Sequence, residues 1–254
     1  QTVFAHAVPD VIRAVKALRK SADIVYAEPN YIFTSKYVPN DAYYGYQWHY
    51  PLISLPEAWD VTTGGSGVIV AVIDSGVVLA HPDLTGQLLP GYDFISDPAV
   101  SSDGDGIDSD PNDPGDGATF EESSFHGTHV AGTVAAASDN GVGVAGVAWQ
   151  SKIMPIRVLG IGGGNAYDAS EGIYYAAGLA NDSNTVPQNR AAILNLSFGG
   201  PGFSQTCYDA ISAPRMADGI VVVSAGNENM DAGTYTPSGL DNVISFRDAY
   251  FGEE

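Results

Sequence analysis

The chain has 254 residues, 44% of them hydrophobic, so it can bury one large core and carry a small additional unit. Its net charge of −20 argues against nucleic acids and anionic membranes as partners, because both would repel so acidic a surface. The lack of a long apolar run argues against membrane insertion, and a single cysteine, Cys207, rules out an intrachain disulfide.

Residues 1–38 differ in charge from the rest of the chain. They carry five basic and three acidic side chains, a net charge of +2, which leaves −22 on residues 39–254. This asymmetry indicates either two units that attract each other or a solvated helix face that is basic by chance.

The first predicted elements are a helix and a strand. Apolar residues recur at helical spacing after Asp10, which can cap the helix, and two basic residues follow in its last turn. A strand interrupted by Pro29 is predicted over residues 23–33, and an exposed connection over residues 38–42. One helix and one strand are too little for an independent core, so this segment must dock on another unit or belong to a larger one.

From Trp59 onward, short apolar strands alternate with helices rich in small residues. The predicted strands are Val68 to Ile73, Lys152 to Val158, Ala191 to Leu196 and Ile220 to Ser224, and the clearest helices are His126 to Ala137 and Tyr167 to Leu179. This alternation predicts an α/β fold with a doubly wound, mostly parallel sheet covered by helices on both faces. Ligands bind beyond the carboxyl ends of such strands, so chemistry is expected in the turns that follow them.

An acidic, glycine-rich insertion lies between Tyr92 and Glu122. Carboxylates this dense need either a cation or full solvation, and their spacing does not fit an EF-hand because its final glutamate is absent. The segment is therefore a calcium-binding loop or a solvated acidic loop, and its candidate ligands are Asp103, Asp105, Asp108, Asp110 and Asp113.

Two reactive side chains follow from the predicted elements. Asp74 ends a buried strand, where an acid either caps a turn or serves a function. His126 opens a helix of small residues, which can pack tightly on the sheet and fix the imidazole. A general base needs an orienting carboxylate on its other nitrogen, and Asp74 could supply it. His129 is expected to be structural, because a zinc site would need a third ligand and the glutamate of HExxH.

Asn227 closes another predicted strand end, in the turn that begins at Ser224. A side-chain amide at such a turn can donate a hydrogen bond to an oxyanion without adding a charge. Because Gly-Asn is also a common turn dipeptide, the residue by itself does not decide between the two roles.

Together these segments resemble the subtilase family of serine peptidases. The resemblance is carried by Ile-Asp-Ser-Gly and His-Pro-Asp-Leu around and after Asp74, by His-Gly-Thr-His-Val-Ala-Gly-Thr from His126, and by Ser-Ala-Gly-Asn-Glu-Asn around Asn227. It implies that Asp74 orients the histidine, that His126 is the general base and acid, and that Asn227 donates to the oxyanion. The match covers roughly residues 39–254, and residues 1–38 resemble the end of the family's inhibitory propeptide.

The resemblance also implies a groove in which an extended peptide substrate adds as a strand between two chain segments. One edge is Gly162 to Asn165, although three successive glycines also suit a flexible turn. The other edge begins at Leu196, with the turn at Ser224 beside it. The implied substrate-binding residues are Gly163, Gly164, Leu196, Ser197, Phe198, Gly199, Ser224, Ala225 and Gly226.

Calcium, in a structural role, is the cofactor that the resemblance implies. The family's strong calcium site takes side-chain and main-chain oxygens at positions that correspond here to Asp83, Asn140, Val142 and Val144, with Gln47 as a further candidate. Without the resemblance these are ordinary turn and loop residues. The acidic insertion resembles that of secreted bacterial members, so secretion is expected and a further ion can bind there.

The nucleophile is the one departure from the family pattern. The family's serine lies in a Gly-Thr-Ser-Met-Ala-like turn downstream of the oxyanion asparagine, and residues 228–254 contain no such motif. We therefore expect a fold that is truncated at its C-terminus, and a chain that is inactive as written.

Three functions remain open from the sequence. The best supported is a secreted serine endopeptidase in the form of an incomplete precursor, which acts on proteins or peptides and is inhibited by its own propeptide, with maturation near residues 37–40. The second is a non-catalytic pseudoenzyme that keeps the peptide groove and the calcium sites. The third is a calcium-binding structural protein, which would need no ordered histidine and aspartate at strand ends.

Overall fold

The structure is a computed structural model, and it divides the chain into two units, residues 1–36 and 37–254. The division falls two residues before the boundary predicted at residue 38. The residues that the structure describes are 8–30, 37–117, 119–213 and 218–246.

The first unit is built on helix α1, Val8–Leu18. The prediction that Asp10 caps this helix is wrong, because the helix already begins at Val8 and Asp10 lies in its first turn. An ion pair of 3.6 Å joins Asp10 to Arg13 on the helix surface. The acid therefore supports the first turn from within it, where a negative charge suits the helix dipole.

The predicted strand of the first unit is wrong for residues 23–30, which form turns and irregular structure. Residues 31–33, the end of that predicted strand, lie outside the described residues. Arg19 supplies a physical reason, since its Nε donates a hydrogen bond to Ala27 O at 2.7 Å and ties this segment to the helix end. The apolar pattern of the segment was therefore insufficient evidence for a strand.

The second unit contains a parallel sheet. In chain order its strands are β1 (Ile69–Asp74), β2 (Tyr92–Asp93), β3 (Lys152–Arg157), β4 (Ile193–Leu196), β5 (Gly200–Pro201), β6 (Ile220–Ser224), β7 (Tyr235–Thr236) and β8 (Ile244–Phe246). Within the described residues, six strands form one sheet in the order β2-β3-β1-β4-β6-β8, and all neighbours are parallel. Strands β5 and β7 form a separate antiparallel pair.

The described part of the second unit also contains six α-helices, of which two precede β1 and the others lie between strands. They are α2 (His49–Leu52), α3 (Leu55–Trp59), α4 (Pro98–Ser101), α5 (His126–Ala135), α6 (Ala166–Ala176) and α7 (Gln205–Ile211). Helices α5 and α6 begin within one residue of the predicted positions and end two or three residues earlier. Among the described helices, none is long and apolar enough to cross a membrane.

The two faces of the sheet carry different helices. Ile73 of β1 belongs to the core cluster shared with α6 and α7, whereas its neighbour Val72 packs with Ala131 and Ala135 of α5. Successive strand residues point to opposite faces, so both faces of β1 are covered. The predicted α/β fold with helices on both faces is confirmed.

The carboxyl ends of the central strands lie along one edge of the sheet. Strand β1 runs between β3 and β4, with Asp74 opposite Arg157 and Ile73 opposite Leu196. Strand β6 continues this alignment beyond β4. The segments that follow β1, β3, β4 and β6 therefore meet at a common edge, where parallel sheets place their ligand sites.

Candidate active site

The carboxyl edge of the sheet brings Asp74 and His126 into contact. Asp74 Oδ1 lies 2.7 Å from His126 Nδ1, and the backbone N–H of Ser75 donates to the same oxygen at 2.7 Å. The carboxylate is fully buried, whereas 48% of the imidazole side chain is exposed. His126 therefore commits Nδ1 to the carboxylate and keeps Nε2 for a reacting group.

Two carboxylates raise the pKa of His126 above its ordinary value. The hydrogen bond to Asp74 is the largest cause, burial opposes it, and the charges of Asp74 and Asp116 add to it. Partial burial of Asp116 opposes its ionisation, but hydrogen bonds from the backbone and hydroxyl of Ser124 outweigh this effect and lower its pKa. Asp116 is thus a second anion that stabilises the protonated imidazole.

Helix α5 reaches this position because its first turn lies directly against the end of β1. A Cβ atom at Gly127 would lie 2.2 Å from the carbonyl oxygen of Gly76 and 3.1 Å from Asp74 Cβ, so the contact requires glycine. Thr128 adds a tether, since its Oγ1 accepts a hydrogen bond from Val78 N at 2.9 Å. The small residues that open α5 are therefore a condition for the contact between the carboxylate and the imidazole.

Asn227 lies in the turn after β6, at the same edge as Asp74. Its side chain is exposed, and Gly226 before it has a φ of +89°, a conformation that favours glycine. Ser224 Oγ donates a hydrogen bond to Phe198 O at 3.4 Å, which links this turn to the segment after β4. The candidate oxyanion donor and one candidate substrate edge thus follow neighbouring strands.

A cavity of about 470 Å³ opens between the segments that follow β3 and β4. The predicted substrate-binding residues that line it are Gly163, Gly164, Phe198 and Gly199. Those outside its lining are Leu196, Ser197, Ser224, Ala225 and Gly226. The lining also includes Cys207, whose thiol is free and buried.

The predicted substrate residues outside the cavity have internal contacts. The Leu196 side chain belongs to the core, so only its main chain can face a substrate. Ser197 Oγ accepts a hydrogen bond from Asn195 Nδ2 at 2.8 Å, and Ala225 N donates to Phe246 O at 2.7 Å. These contacts fix the backbone around the groove.

The candidate strong calcium site forms where one loop packs against Asp83. Asp83 is buried, its Oδ2 accepts from Val144 N at 2.8 Å, and its Oδ1 accepts from Asn140 Nδ2 at 3.2 Å. Asn140 Oδ1 accepts in turn from Val142 N at 2.7 Å. Gln47 uses both atoms of its amide on the main chain just after Val144. Hydrogen bonds therefore connect the four predicted residues, with nitrogen atoms of Asn140, Val142 and Val144 as the donors, and Gln47 is held beside them.

Asp41 adds a carboxylate that sequence reasoning missed. Its Oδ2 accepts from Asp139 N at 2.8 Å, at the start of the same loop. Its Oδ1 is buried and has no hydrogen-bond partner among the described residues. The predicted exposed connection is therefore wrong at Asp41, which is buried. The only local signal was its place in an Asn-Asp turn pair, and burial depends on contacts with residues nearly a hundred positions away.

The acidic insertion is anchored by a buried arginine that sequence reasoning also missed. Arg157 Nη1 lies 2.5 Å from Asp103 Oδ2 and 2.5 Å from Asp93 Oδ2, and Arg157 Nη2 donates to the carbonyl of Ser101. The guanidinium is almost completely buried. The charge of Asp103 is therefore compensated by an arginine at the end of β3.

The other acidic candidates have different surroundings. Asp105 is exposed, and the neighbouring charge of Asp108 is the main cause that raises its pKa. Asp108 and Asp110 accept hydrogen bonds from backbone N–H groups two residues further on. Asp113 is buried and accepts from Ser75 Oγ at 2.7 Å. Within the described ranges, no group of three or more histidine, cysteine, aspartate or glutamate side chains converges to hold a metal ion.

Known proteins share the sequence pattern of this site. The profile described as Subtilase family matches residues 65–247. The "Extracellular basic protease" of Dichelobacter nodosus is 40% identical to the chain, covering 96% of it and 42% of the relative. The "Extracellular protease" of Xanthomonas campestris is 38% identical, covering 93% of the chain and 45% of the relative.

The fold is shared with solved proteases. A structure of a protease from Pseudoalteromonas arctica has a TM-score of 0.77 and 44% sequence identity, and the match covers 82% of this chain and 65% of that one. The chain thus spans less than half the length of the two curated relatives and about two thirds of this structure.

Proposed function

The chain belongs to the subtilase family of serine peptidases, and on this premise we propose that it supplies the acid–base pair and the substrate groove of a secreted serine endopeptidase. The observation that carries the proposal is the hydrogen bond of 2.7 Å between buried Asp74 and half-exposed His126. A buried acid on one ring nitrogen and an accessible second nitrogen are what a general base requires.

In the proposed reaction, His126 Nε2 takes a proton from the nucleophile and later gives it to the leaving amine. Asp74 keeps the proton of the neutral imidazole on Nδ1 and stabilises the imidazolium that forms. Asn227 donates its side-chain amide to the oxyanion of the tetrahedral intermediate. The peptide lies extended beside the glycines of residues 162–164, with its affinity supplied by main-chain hydrogen bonds.

The proposed nucleophile is a serine in a Gly-Thr-Ser-Met-Ala-like segment, which residues 1–254 do not contain. Acyl transfer needs a hydroxyl within about 3 Å of the base nitrogen. The 254-residue chain is therefore expected to hydrolyse peptides no faster than about 10³-fold over water, the residual activity that oxyanion hole and binding give in subtilisin, a member of this family.

The proposal is tested with a gene product that carries these residues together with the serine segment. We expect it to cleave an unstructured protein substrate, to be blocked by a serine-directed inhibitor, and to lose about 10⁶-fold in kcat in a His126→Ala variant, the loss known for subtilisin. Inhibitor-sensitive cleavage by the 254-residue chain would place the nucleophile elsewhere. Failure of the longer protein to cleave would favour a non-catalytic peptide-binding protein.

We further propose that calcium stabilises the second unit. The carboxylate of Asp83 and the amide of Asn140 offer side-chain oxygens, the ligand type that calcium prefers, and the proposal assigns the main-chain carbonyls of Val142 and Val144 to the same ion. The buried oxygen of Asp41, which has no partner among the described residues, carries an electrostatic cost that a cation would remove. In the acidic insertion, Asp105 and Asp108 repel each other and form the better candidates, with Asp110 next to them. Asp103 already has Arg157 as its partner.

Secretion and an inhibitory role for residues 1–38 complete the proposal. Two relatives are named as extracellular proteases, which supports export of this protein. The basic charge of residues 1–38 and the separate unit formed by residues 1–36 support a propeptide that attaches to an acidic enzyme.

A further inference from the structure

Ser75, the residue after Asp74, connects three parts of the active site. Its side chain is buried. Its Oγ lies 2.7 Å from Asp113 Oδ2 in the acidic insertion and 2.9 Å from the backbone nitrogen of Gly127 in α5. One hydroxyl thus joins the end of β1, the start of α5 and the insertion.

The direction of both hydrogen bonds is determined by their partners. The N–H of Gly127 can only donate, so Ser75 Oγ accepts there and gives its own proton to the Asp113 carboxylate. Asp113 is itself held, because its Oδ1 accepts from Gly115 N at 2.8 Å. The hydroxyl has no alternative orientation that satisfies both neighbours.

A second serine–aspartate pair binds the backbone N–H of His126, the residue before Gly127. Ser124 Oγ accepts from His126 N at 3.3 Å and donates to Asp116 Oδ2 at 2.6 Å. This pair is more exposed than the pair formed by Ser75 and Asp113. The first two N–H groups of α5 are therefore both bound by serines that an aspartate of the insertion orients.

Helix α5 needs this support because it lacks an ordinary cap. The residue before it, Phe125, has a φ of 46° and makes no side-chain capping hydrogen bond. Free N–H groups in a first helical turn require partners, and here the partners come from outside the helix. The position of His126 therefore depends on side chains that are distant in sequence.

We propose that Ser75 and Asp113 are positioning residues that hold His126 in line with Asp74 and the nucleophile. This inference rests on the proposed endopeptidase function. Neither side chain is assigned a contact with substrate, and hydrogen bonds from Ser75 and Gly115 hold both oxygens of Asp113. The pair acts on the chemical step through the first turn of α5.

The test measures kcat and KM of the active gene product and of four variants. Ser75→Ala should lower kcat by about tenfold to a hundredfold at unchanged KM, since a misplacement of about 1 Å in a catalytic group costs about 10²-fold. Ser75→Thr keeps the hydroxyl and should stay within threefold of the parent. Asp113→Asn keeps one acceptor oxygen and the fold, and should lower kcat by about threefold or more.

Ser138→Ala is the matched control. Ser138 Oγ also bridges main-chain groups, accepting from Gly146 N at 2.8 Å and donating to Ala136 O at 2.9 Å, but it lies beyond the opposite end of α5. Its kcat should equal that of the parent, even if its melting temperature falls.

The inference is overturned if Ser75→Ala has the same kcat as the parent, or if Ser75→Ala and Ser75→Thr lower kcat equally. It is also overturned if Ser138→Ala lowers kcat as much as Ser75→Ala does. Should Ser75→Ala fail to fold, Asp113→Asn decides, and an unchanged kcat in that variant rejects the inference. A parent protein without any activity would instead reject the proposed function.

Discussion

Asp74 and His126 differ in the exposure of their side chains to water, and this difference supports the roles proposed for them. Asp74 is enclosed at the end of β1, where it accepts from His126 and from the backbone of Ser75. His126 is half exposed, and its ring is held through Nδ1 by the hydrogen bond to Asp74. A fixed acid and an accessible base are the arrangement that permits proton transfer to and from a substrate.

The first prediction concerns the pH dependence of activity. A general base works in its neutral form, so kcat/KM should rise with pH as His126 loses its proton, with a midpoint above its ordinary pKa because Asp74 and Asp116 raise that pKa. Replacing Asp116 by asparagine removes one of these charges, lowers the pKa of His126 and moves the profile to lower pH. Initial rates from pH 5 to 9 provide the measurement.

Glu121→Gln is the control for this experiment, because Glu121 is an exposed acid of the same insertion and is not among the causes that raise the His126 pKa. Its pH profile should match the parent. Equal shifts in both variants would mean that net charge, and not the proximity of Asp116, sets the midpoint.

At the residue scale, the sequence identified the side chains that carry local signals. Asp74 and His126 were predictable because each terminates or opens an element with a recognisable pattern. Ser75 lay inside the same block, yet its partner Asp113 is 38 positions away and its role follows only from the fold. Asp41 was missed for the same reason, since its contacts are 98 positions distant.

Helix α5 is the element on which the site depends, because its first turn carries the proposed base, His126, and its small residues permit close packing. At Gly127, helix α5 lies so close to the segment after β1 that an added Cβ would be 2.2 Å from the carbonyl oxygen of Gly76. Gly132 in the same helix faces open space, with no atom within 4 Å of an added Cβ. The two glycines therefore make a matched pair for substitution by alanine.

The second prediction uses this pair. Gly127→Ala should destabilise the protein by about 1–3 kcal/mol, the usual cost of overpacking, and lower kcat by about 10²-fold because the helix start must move away from β1. Gly132→Ala should instead stabilise it by about 0.5–1 kcal/mol, as alanine suits a helix interior better than glycine. Urea unfolding and kcat measured on both variants check this, and equal behaviour of the two would contradict it.

At the scale of elements, the parallel strands and their helices followed from apolar runs and small-residue helices, and their bounds agree to within a few residues. The predicted strand over residues 23–33 failed over residues 23–30 because a strand also needs a partner, which the sequence does not display. Cap positions were equally uncertain, since α1 begins before Asp10.

The whole molecule combines a basic segment with a very acidic unit. Residues 1–38 carry +2 and the remaining residues −22. Tyr37 belongs to the second unit, where its hydroxyl donates to Asp139 and its ring centroid lies 5.1 Å from that of Trp149. A cut before Tyr37 would therefore leave these contacts of the second unit intact, whereas a cut after Tyr37, within the range proposed for maturation, would separate Tyr37 from the rest of the second unit.

The third prediction is that residues 1–38, added as a separate peptide, inhibit the active enzyme. Charge attraction contributes to binding and is screened by salt, so the inhibition constant should increase between 0.05 and 0.5 M NaCl. Inhibition assays with a small peptide substrate measure this. A scrambled peptide of the same composition is the control, and equal inhibition by both peptides, or none by either, would reject the propeptide assignment.

Calcium binding is the last prediction, and it belongs to the whole molecule because the loop at residues 139–144 joins two separate carboxylates. Asp41 accepts from Asp139 N and Asp83 from Val144 N, so a cation there would tie the start of the second unit to the loop beyond α5. Calcium at a hundredfold excess over its dissociation constant should stabilise the folded state by about 2.7 kcal/mol, and a chelator should lower the melting temperature accordingly. Asp41→Asn should abolish most of this gain.

In the presence of a chelator, Asp41→Asn should not lower the melting temperature relative to the parent. Without a cation, the Asp41 carboxylate keeps a buried oxygen that lacks a partner, so asparagine there should melt at the same temperature as the parent or higher. Asp60→Asn, at an exposed acid in the same part of the chain, should keep the full calcium response. Thermal unfolding of the three proteins with calcium and with chelator gives six midpoints. A parent whose midpoint ignores calcium, or an Asp41→Asn variant that responds as the parent does, would show that this loop is held by hydrogen bonds alone.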